Sequence, residues 1–255
     1  MSAETSVVQP APVRIEIHGA VQLVTIDRPS RRNAVDHATL LGLIRAQAQA
    51  ADAEGEIRAV VLTGAAPAFS AGADLTGVES GEFTRLLGSV LQGFGRLPIT
   101  TIAAVDGPAL GAGTQLAIAC DLRVATPSSR FGIPAAQLGL AVDEWTIERL
   151  AAQAGASIAR NMLLSAATYT AEQLEPNGFI HRRGGLDVAM EWATKISKLA
   201  PLTIAAHKLA LEALLPPHPH DDLFEQARQR AWDSADANEG RRAFLEKRPP
   251  NFTGV

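Results

Sequence analysis

The chain has 255 residues, 47% of them apolar and 20% charged, which is enough apolar material for a large core in one domain with an appendage. The net charge of −4 and the isolated arginine pairs Arg31-Arg32 and Arg182-Arg183 leave no basic stripe of the kind nucleic acid requires, and no apolar run approaches the ~20 residues of a membrane span. A single cysteine, Cys120, rules out an internal disulfide and suits a cytoplasmic setting.

Residues 1–12 are polar and Pro-containing, without a basic-then-apolar targeting signal, and read as a disordered tail. Residues 13–19 and 21–27 alternate well enough for two strands joined at His18-Gly19-Ala20, a predicted hairpin. The turn that follows, DRPSRRNAV, carries Arg28 and Arg32, which by themselves read as solvating the turn. An alanine-rich helix is predicted over 36–53 and a strand over 58–63, and this strand, helix, strand order implies a parallel sheet. The strand runs into Gly64-Ala-Ala-Pro67 and then AFSAGADL. Across 77–97, Phe83, Leu86, Leu87, Val90, Leu91 and Phe94 recur at helical spacing, as an ordinary core face does.

In the next stretch, TIAAVDGPALGAGTQLAIACD, a buried strand over 102–105 is halted by Asp106-Gly107-Pro108, and Gly111 and Gly113 let backbone approach something closely. The pattern then turns helical, with residues 111–115 in the first turn. A helix start presents unpaired N–H groups and the positive end of the dipole, where a carbonyl oxygen or an anion sits well. A glycine-rich turn holding no ligand is the other reading. The glycine spacing G-x-x-x-G-x-G argues against a dinucleotide fingerprint, and a phosphate loop is absent. Cys120, inside the apolar helix, reads as a small core residue. A strand over 122–126 leads to SSRFGIP. Asp143 either caps a helix over 144–154 or acts as a base beside a ligand, and Trp145 is core or a pocket wall. Further helices are expected at 156–166, 187–199, 202–215, 221–235 and 238–247, the last stopped by Arg248-Pro-Pro. The histidines have no spaced partners, and His218 and His220 sit in a Pro-rich loop, so no metal site is expected.

The segment AFSAGADL, followed about thirty residues later by AAVDGPALGAGTQLAIACDLRVAT, resembles the crotonase superfamily, the enoyl-CoA hydratases and isomerases. The resemblance spans residues 13–255. It implies an α/β fold: a spiral core of repeated ββα turns over 13–199, then a helical trimerisation region over 200–255, assembled as a homotrimer or hexamer. The ligand it implies is a coenzyme A thioester, with no further cofactor. Carried over by position, the oxyanion-hole donors are the backbone N–H groups of Ala73 and Ala112, with Ala71, Asp74 and Leu75 beside the ligand. Arg28 and Arg32 would border the adenine and ribose, Leu87, Leu91 and Trp145 the acyl chain, Phe244 would pack on the ligand, and Lys247 would meet a CoA phosphate.

Hydration across a conjugated double bond needs one carboxylate to deprotonate water and a second group to protonate carbon. The two glutamates that hydratases use fall at Gln115 and Ala135 here. Gln115 can orient a water but exchanges no proton at neutral pH, and Ala135 does neither. A carboxylate at the place of Asp143 is found in dienoyl-CoA isomerases. The glutamine and alanine, together with GLAVDEW, MLLSA and EKRPPNF, are similar to a non-catalytic, acyl-CoA-binding branch tied to mycolic-acid biosynthesis. That implies a carrier or sensor of long-chain acyl-CoA serving a type II fatty-acid synthase. Three functions follow as expectations: an acyl-CoA binder, an isomerase using Asp143 alone, and a weak hydratase relying on water held by Gln115.

Overall fold

The computed structural model describes residues 11–53, 55–76, 81–214 and 222–254. Residues 1–10 of the expected tail, the start of the helix expected from 77, and His218 and His220 lie outside the described residues.

Strands β1 (Val13–His18) and β2 (Val21–Ile26) form the predicted antiparallel hairpin. Helix α1 (His37–Asp52) follows, its first turn closed by the Asp36 carboxylate, which accepts from the Thr39 N–H. The chain continues through β3 (Ala59–Gly64), α2 (Gly81–Arg96), β4 (Thr100–Val105), β5 (Pro108–Leu110), α3 (Ala112–Ala119), β6 (Leu122–Ala125) and β7 (Arg130–Gly132). Next come α4 (Glu144–Ala154), α5 (Ala156–Leu164), β8 (Thr168–Thr170), α6 (Ala171–Leu174) and β9 (Arg182–Arg183). Four helices end the chain: α7 (Leu186–Ile196), α8 (Pro201–Glu212), α9 (Asp222–Asp233) and α10 (Ala235–Glu246).

The main sheet has six strands in the order β1-β2-β3-β4-β6-β9, parallel from β2 onward. Every residue of β2 and β4 is buried, which explains why 102–105 in β4 reads as a continuous apolar run, while the alternation of β2 places Gln22 and Thr25 inside as well. One face, with Val24, Val60, Leu62 and Val105, joins the large core built with α1, α2 and α3. The other face, with Val21, Val61, Ile102 and Val124, is covered by Ala189, Ala193 and Ile196 of α7.

A second sheet of three short strands, β5-β7-β8, lies beyond the sequence expectations. Pro108 stands in β5, where a turn was expected to end the strand; three-residue strands carry no readable period. Helix α10 also begins three residues earlier than the expected 238, because Ser234 caps it by accepting from the Ala237 N–H at 3.0 Å.

The C-terminal helices fold back on the core. Lys208 of α8 is buried, and its ammonium donates to Phe94 O, Ile99 O and Asp121 Oδ2 at 2.8–3.0 Å, pinning α8 to the sheet's end. From α9, the indole N–H of Trp232 donates to Ala141 O at 2.8 Å, and α10 packs on the 3-10 turn Pro134–Leu138. On its outer side α8 leaves Leu202, Leu209 and Leu211 exposed.

Candidate functional site

Two turns meet at the carboxyl ends of β3 and β4. Ser70 pairs with Ala109 in a parallel bridge, with Ser70 N–H on Pro108 O at 3.0 Å and Leu110 N–H on Ser70 O at 2.9 Å. Three residues on from that bridge in both segments stand Ala73 and Ala112. The bridge between Val35 and Ala73 uses the Gly72 carbonyl and the Asp74 N–H, so it leaves the N–H of Ala73 itself unspent. Ala112 opens α3, where the first N–H groups have no partner within the helix and the dipole is positive. Neither N–H donates to any acceptor among the described residues. The close approach depends on missing side chains. At Gly72 (φ +111) a Cβ would stand 3.0 Å from Leu110 O, and at Gly113 one would stand 2.4 Å from Ser70 O.

Further bonds hold this backbone frame. Asn33, fully buried, donates to both Ala65 O and Ala68 O at 2.6 Å and accepts from the Arg28 N–H at 2.9 Å. Arg32 contributes its carbonyl, which accepts from the Ala71 N–H at 2.9 Å. The Thr114 hydroxyl joins Ala109 O to the Gly132 backbone, fixing the first turn of α3 against β5 and β7.

Both turns border a cavity of about 220 Å³. Of the residues expected at a ligand, Ala71, Ala73, Leu75, Leu87, Ala112, Gln115, Ala135, Asp143 and Phe244 line it. The others stand elsewhere. Leu91 is fully buried in the core and is no pocket wall, because it lies on the side of α2 that packs inward. Trp145 borders a separate cleft of about 820 Å³ between α2, α4, α8 and α9, with the Arg149 guanidinium 5.7 Å from its ring centre. Arg28 turns inward, ion-paired to Asp36 at 2.9 Å and Asp74 at 3.1 Å, so both Arg28 and Asp74 serve the frame. Burial works against the charge of Asp74, yet the Thr76 hydroxyl and Arg28 hold its carboxyl below the usual range. Arg32 and Lys247 have exposed side chains, and Lys247, at φ +55, ends α10.

Inside the cavity Asp143 is the one carboxylate among the described lining residues. It caps α4, with Oδ1 accepting from the Thr146 N–H at 2.9 Å. Its Oδ2 accepts from the Thr146 hydroxyl at 2.9 Å and from the Gln115 amide at 3.4 Å, while the same amide donates to the Thr146 hydroxyl at 2.7 Å. A glutamate in place of Gln115 would set two carboxylates against each other. Ala135 offers only a methyl group from the 3-10 turn.

Sequence reasoning missed Arg228 and Trp232. Arg228 lines the cavity and donates through Nε to Glu225 at 2.8 Å. Glu225, and more weakly Asp143, hold its guanidinium above its usual range against the opposing effect of burial. Arg228 and Trp232 lie over 80 residues from Asp143 in sequence, and no local pattern links them. Burial pushes the Cys120 thiol up to about 12, so it is inert. Among the described residues no cluster of three or more His, Cys, Asp or Glu could hold a metal ion, and no helix is long and apolar enough to cross a membrane.

The sequence profile of the family described as enoyl-CoA hydratase/isomerase matches residues 16–255. The chain belongs to that family. It is 41% identical over 243 residues to a probable enoyl-CoA hydratase, echA6, of Mycobacterium tuberculosis, a match covering 92% of this chain and 97% of the relative. It is 35% identical over 247 residues to the 2,3-dehydroadipyl-CoA hydratase of Escherichia coli, covering 92% and 95%. Among solved structures, methylmalonyl-CoA decarboxylase complexed with 2S-carboxypropyl-CoA superposes with a TM-score of 0.87 at 27% identity, covering all of both chains. The α/β crotonase fold with its C-terminal helices is thereby established.

Proposed function

We propose that the protein binds long-chain acyl-CoA thioesters, with the thioester carbonyl held by the N–H groups of Ala73 and Ala112, and performs no hydratase chemistry. The observation that carries this reading is the state of the cavity's proton-transfer groups: Gln115 donates its amide to Thr146 and Asp143, Ala135 is a methyl, and Asp143 has its oxygens engaged by Thr146 and Gln115. Two unpaired N–H donors polarise a carbonyl, but polarisation alone moves no proton. Such a protein is a carrier or sensor in fatty-acid or mycolic-acid metabolism, cytoplasmic, with components of a type II fatty-acid synthase as its partners. The hydratase names of its relatives weigh on the other side, and the residues at 115 and 135 are what support the departure.

Arg32 and Lys247, both exposed, are the side chains of this proposal that meet the coenzyme A moiety, while Arg28 is committed to Asp36 and Asp74. Assembly as a homotrimer or hexamer would cover the exposed leucines of α8. One observation favours a second reading, an isomerase with Asp143 as its single base: that carboxylate does border the cavity. To accept a proton from carbon it must first give up a bond to Thr146 or Gln115. The test is to incubate the protein with saturated acyl-CoAs and with enoyl-CoAs, including crotonyl-CoA and 3-enoyl-CoA, measuring affinity and turnover. Affinity for the saturated thioesters with no more than a trace of turnover is expected; hydration of crotonyl-CoA at rates ordinary for hydratases would overturn the reading.

A further inference from the structure

Among the described residues, three further pockets adjoin the cavity beside the two N–H donors, and they differ in what separates them from it. Toward the large cleft of about 820 Å³ the shared residues are Thr84, Asp143 and Arg228, all polar or charged. Toward a groove beside the C-terminal segment they are Gln137, Leu138 and Phe244, with an amide on the path. The third neighbour, a pocket of about 410 Å³ between α4 and α5, shares only Ala135, Leu140, Ala141 and Val142 with the cavity. Its farther wall is formed by Ile147 and Ala151 of α4 and Ala159, Leu163 and the exposed Arg160 of α5.

An alkyl chain leaving the cavity by the first route would have to desolvate Asp143 and the Arg228–Glu225 pair without compensating them, which is costly. The third route is lined by alanine, leucine, isoleucine and valine side chains, and Arg160, exposed on α5, is the one charged residue among those lining the pocket. The route passes Ala135, where a longer side chain would stand between the two spaces, and Ala141, whose carbonyl is already engaged by Trp232. Size calls for an extension of this kind, although the C-terminal groove, at about 420 Å³, would supply as much volume and is set apart by the amide on its path. The cavity alone is smaller than the roughly 300–1,000 Å³ of ordinary ligand pockets, and with the α4/α5 pocket it falls within that range.

We propose that the α4/α5 pocket is the site for the distal methylenes of a saturated acyl chain, entered over Ala135, and that it sets the preferred chain length. This rests on the thioester reading above and deepens it. The absence of a side chain beyond Cβ at position 135 thus has a second effect: besides removing a proton-transfer group, it opens the way for the tail.

Equilibrium binding of butanoyl-, hexanoyl-, dodecanoyl- and hexadecanoyl-CoA tests this in the parent protein and two variants whose sites line only the α4/α5 pocket. Each methylene entering hydrocarbon raises affinity about fourfold, so affinity should keep rising past hexanoyl in the parent. Ala151→Phe fills the pocket. It should leave hexanoyl-CoA affinity within about twofold and weaken dodecanoyl-CoA about tenfold or more. Leu163→Ala widens the pocket and should move the length at which affinity levels off toward longer chains; it carries the test if Ala151→Phe does not fold. A parent that binds hexanoyl-CoA but gains nothing with longer chains, or variants that keep the parent's chain-length profile, overturn this proposal alone. A parent that binds no acyl-CoA of any length overturns the thioester reading, and this proposal with it.

Discussion

The two halves of the cavity are built from different material. Around Ala73 and Ala112 the groups on offer are main-chain N–H groups, positioned by a strand bridge, a helix start and close backbone approach at Gly72 and Gly113. Across the cavity, at positions 115, 135 and 143, the groups on offer are side chains. A backbone donor survives almost any substitution that leaves the fold intact, whereas a single replacement removes a carboxylate. On the function proposed above, the architecture would retain a carbonyl-binding frame while its proton-transfer groups are lost or exchanged.

The largest expected effect comes from rebuilding the side-chain half on the intact backbone half. Gln115→Glu with Ala135→Glu should yield little hydration, because the new carboxylate at 115 faces Asp143 Oδ2, 3.4 Å from the present amide nitrogen. Adding Asp143→Asn relieves that repulsion, and the triple variant should hydrate crotonyl-CoA about 10²-fold or more above the parent. A folded triple variant that binds crotonyl-CoA and stays at the parent rate would show that pocket shape has diverged as well.

Breaking the backbone half should cost binding instead. In Gly113→Ala the new methyl meets Ser70 O, so the start of α3 must move, with about 1–3 kcal/mol lost in urea unfolding and hexanoyl-CoA affinity reduced about tenfold or more. Unchanged affinity in that variant would mean the two N–H groups do not hold the ligand.

Asp143 belongs to both halves, as helix cap and as cavity wall. Asp143→Ala should lower stability by about 1 kcal/mol, and Asp143→Asn, which keeps a capping oxygen, by much less. Acyl-CoA affinity should stay within about threefold in the asparagine variant. Isomerisation of a 3-enoyl-CoA by the parent and not by that variant would instead assign Asp143 as a base.

The smallest effect lies far from the cavity and leaves both halves alone. Burial of the inner edge of the His181 ring, whose Nδ1 accepts from the Arg123 N–H at 3.2 Å, and the charge of Arg123 push its pKa down to about 4, although the outer edge meets solvent. Between about pH 6.5 and 4 the unfolded chain binds a proton that the folded one does not, so stability falls as pH falls through that window. His181→Gln should flatten this part of a Tm-against-pH curve without altering acyl-CoA affinity.

Much of the fold was legible because its strands and helices are long and strongly patterned: the hairpin before Asp27, the helix capped by Asp36, and the cap at Asp143 with α4 behind it all follow local rules. The small sheet was not, since Pro108–Leu110 and Thr168–Thr170 owe their strand character to pairing with Arg130–Gly132. The site divided along the same line. The turn residues were readable from their glycines, whereas the inward position of Leu91, the commitment of Arg28 to two aspartates and the arrival of Arg228 and Trp232 from α9 depend on tertiary packing.

The clip made by Asn33 has a consequence for folding. Its side chain closes loops of more than thirty residues to Ala65 and Ala68, and the Ser70–Ala109 bridge closes another, so the two N–H donors are aligned only after these distant closures are complete. A partly folded chain would therefore lack the proposed carbonyl site. Any thioester gripped by those donors acts on the native state alone and raises the midpoint of unfolding in proportion to the logarithm of its concentration, which makes thermal shift a direct measure of occupancy.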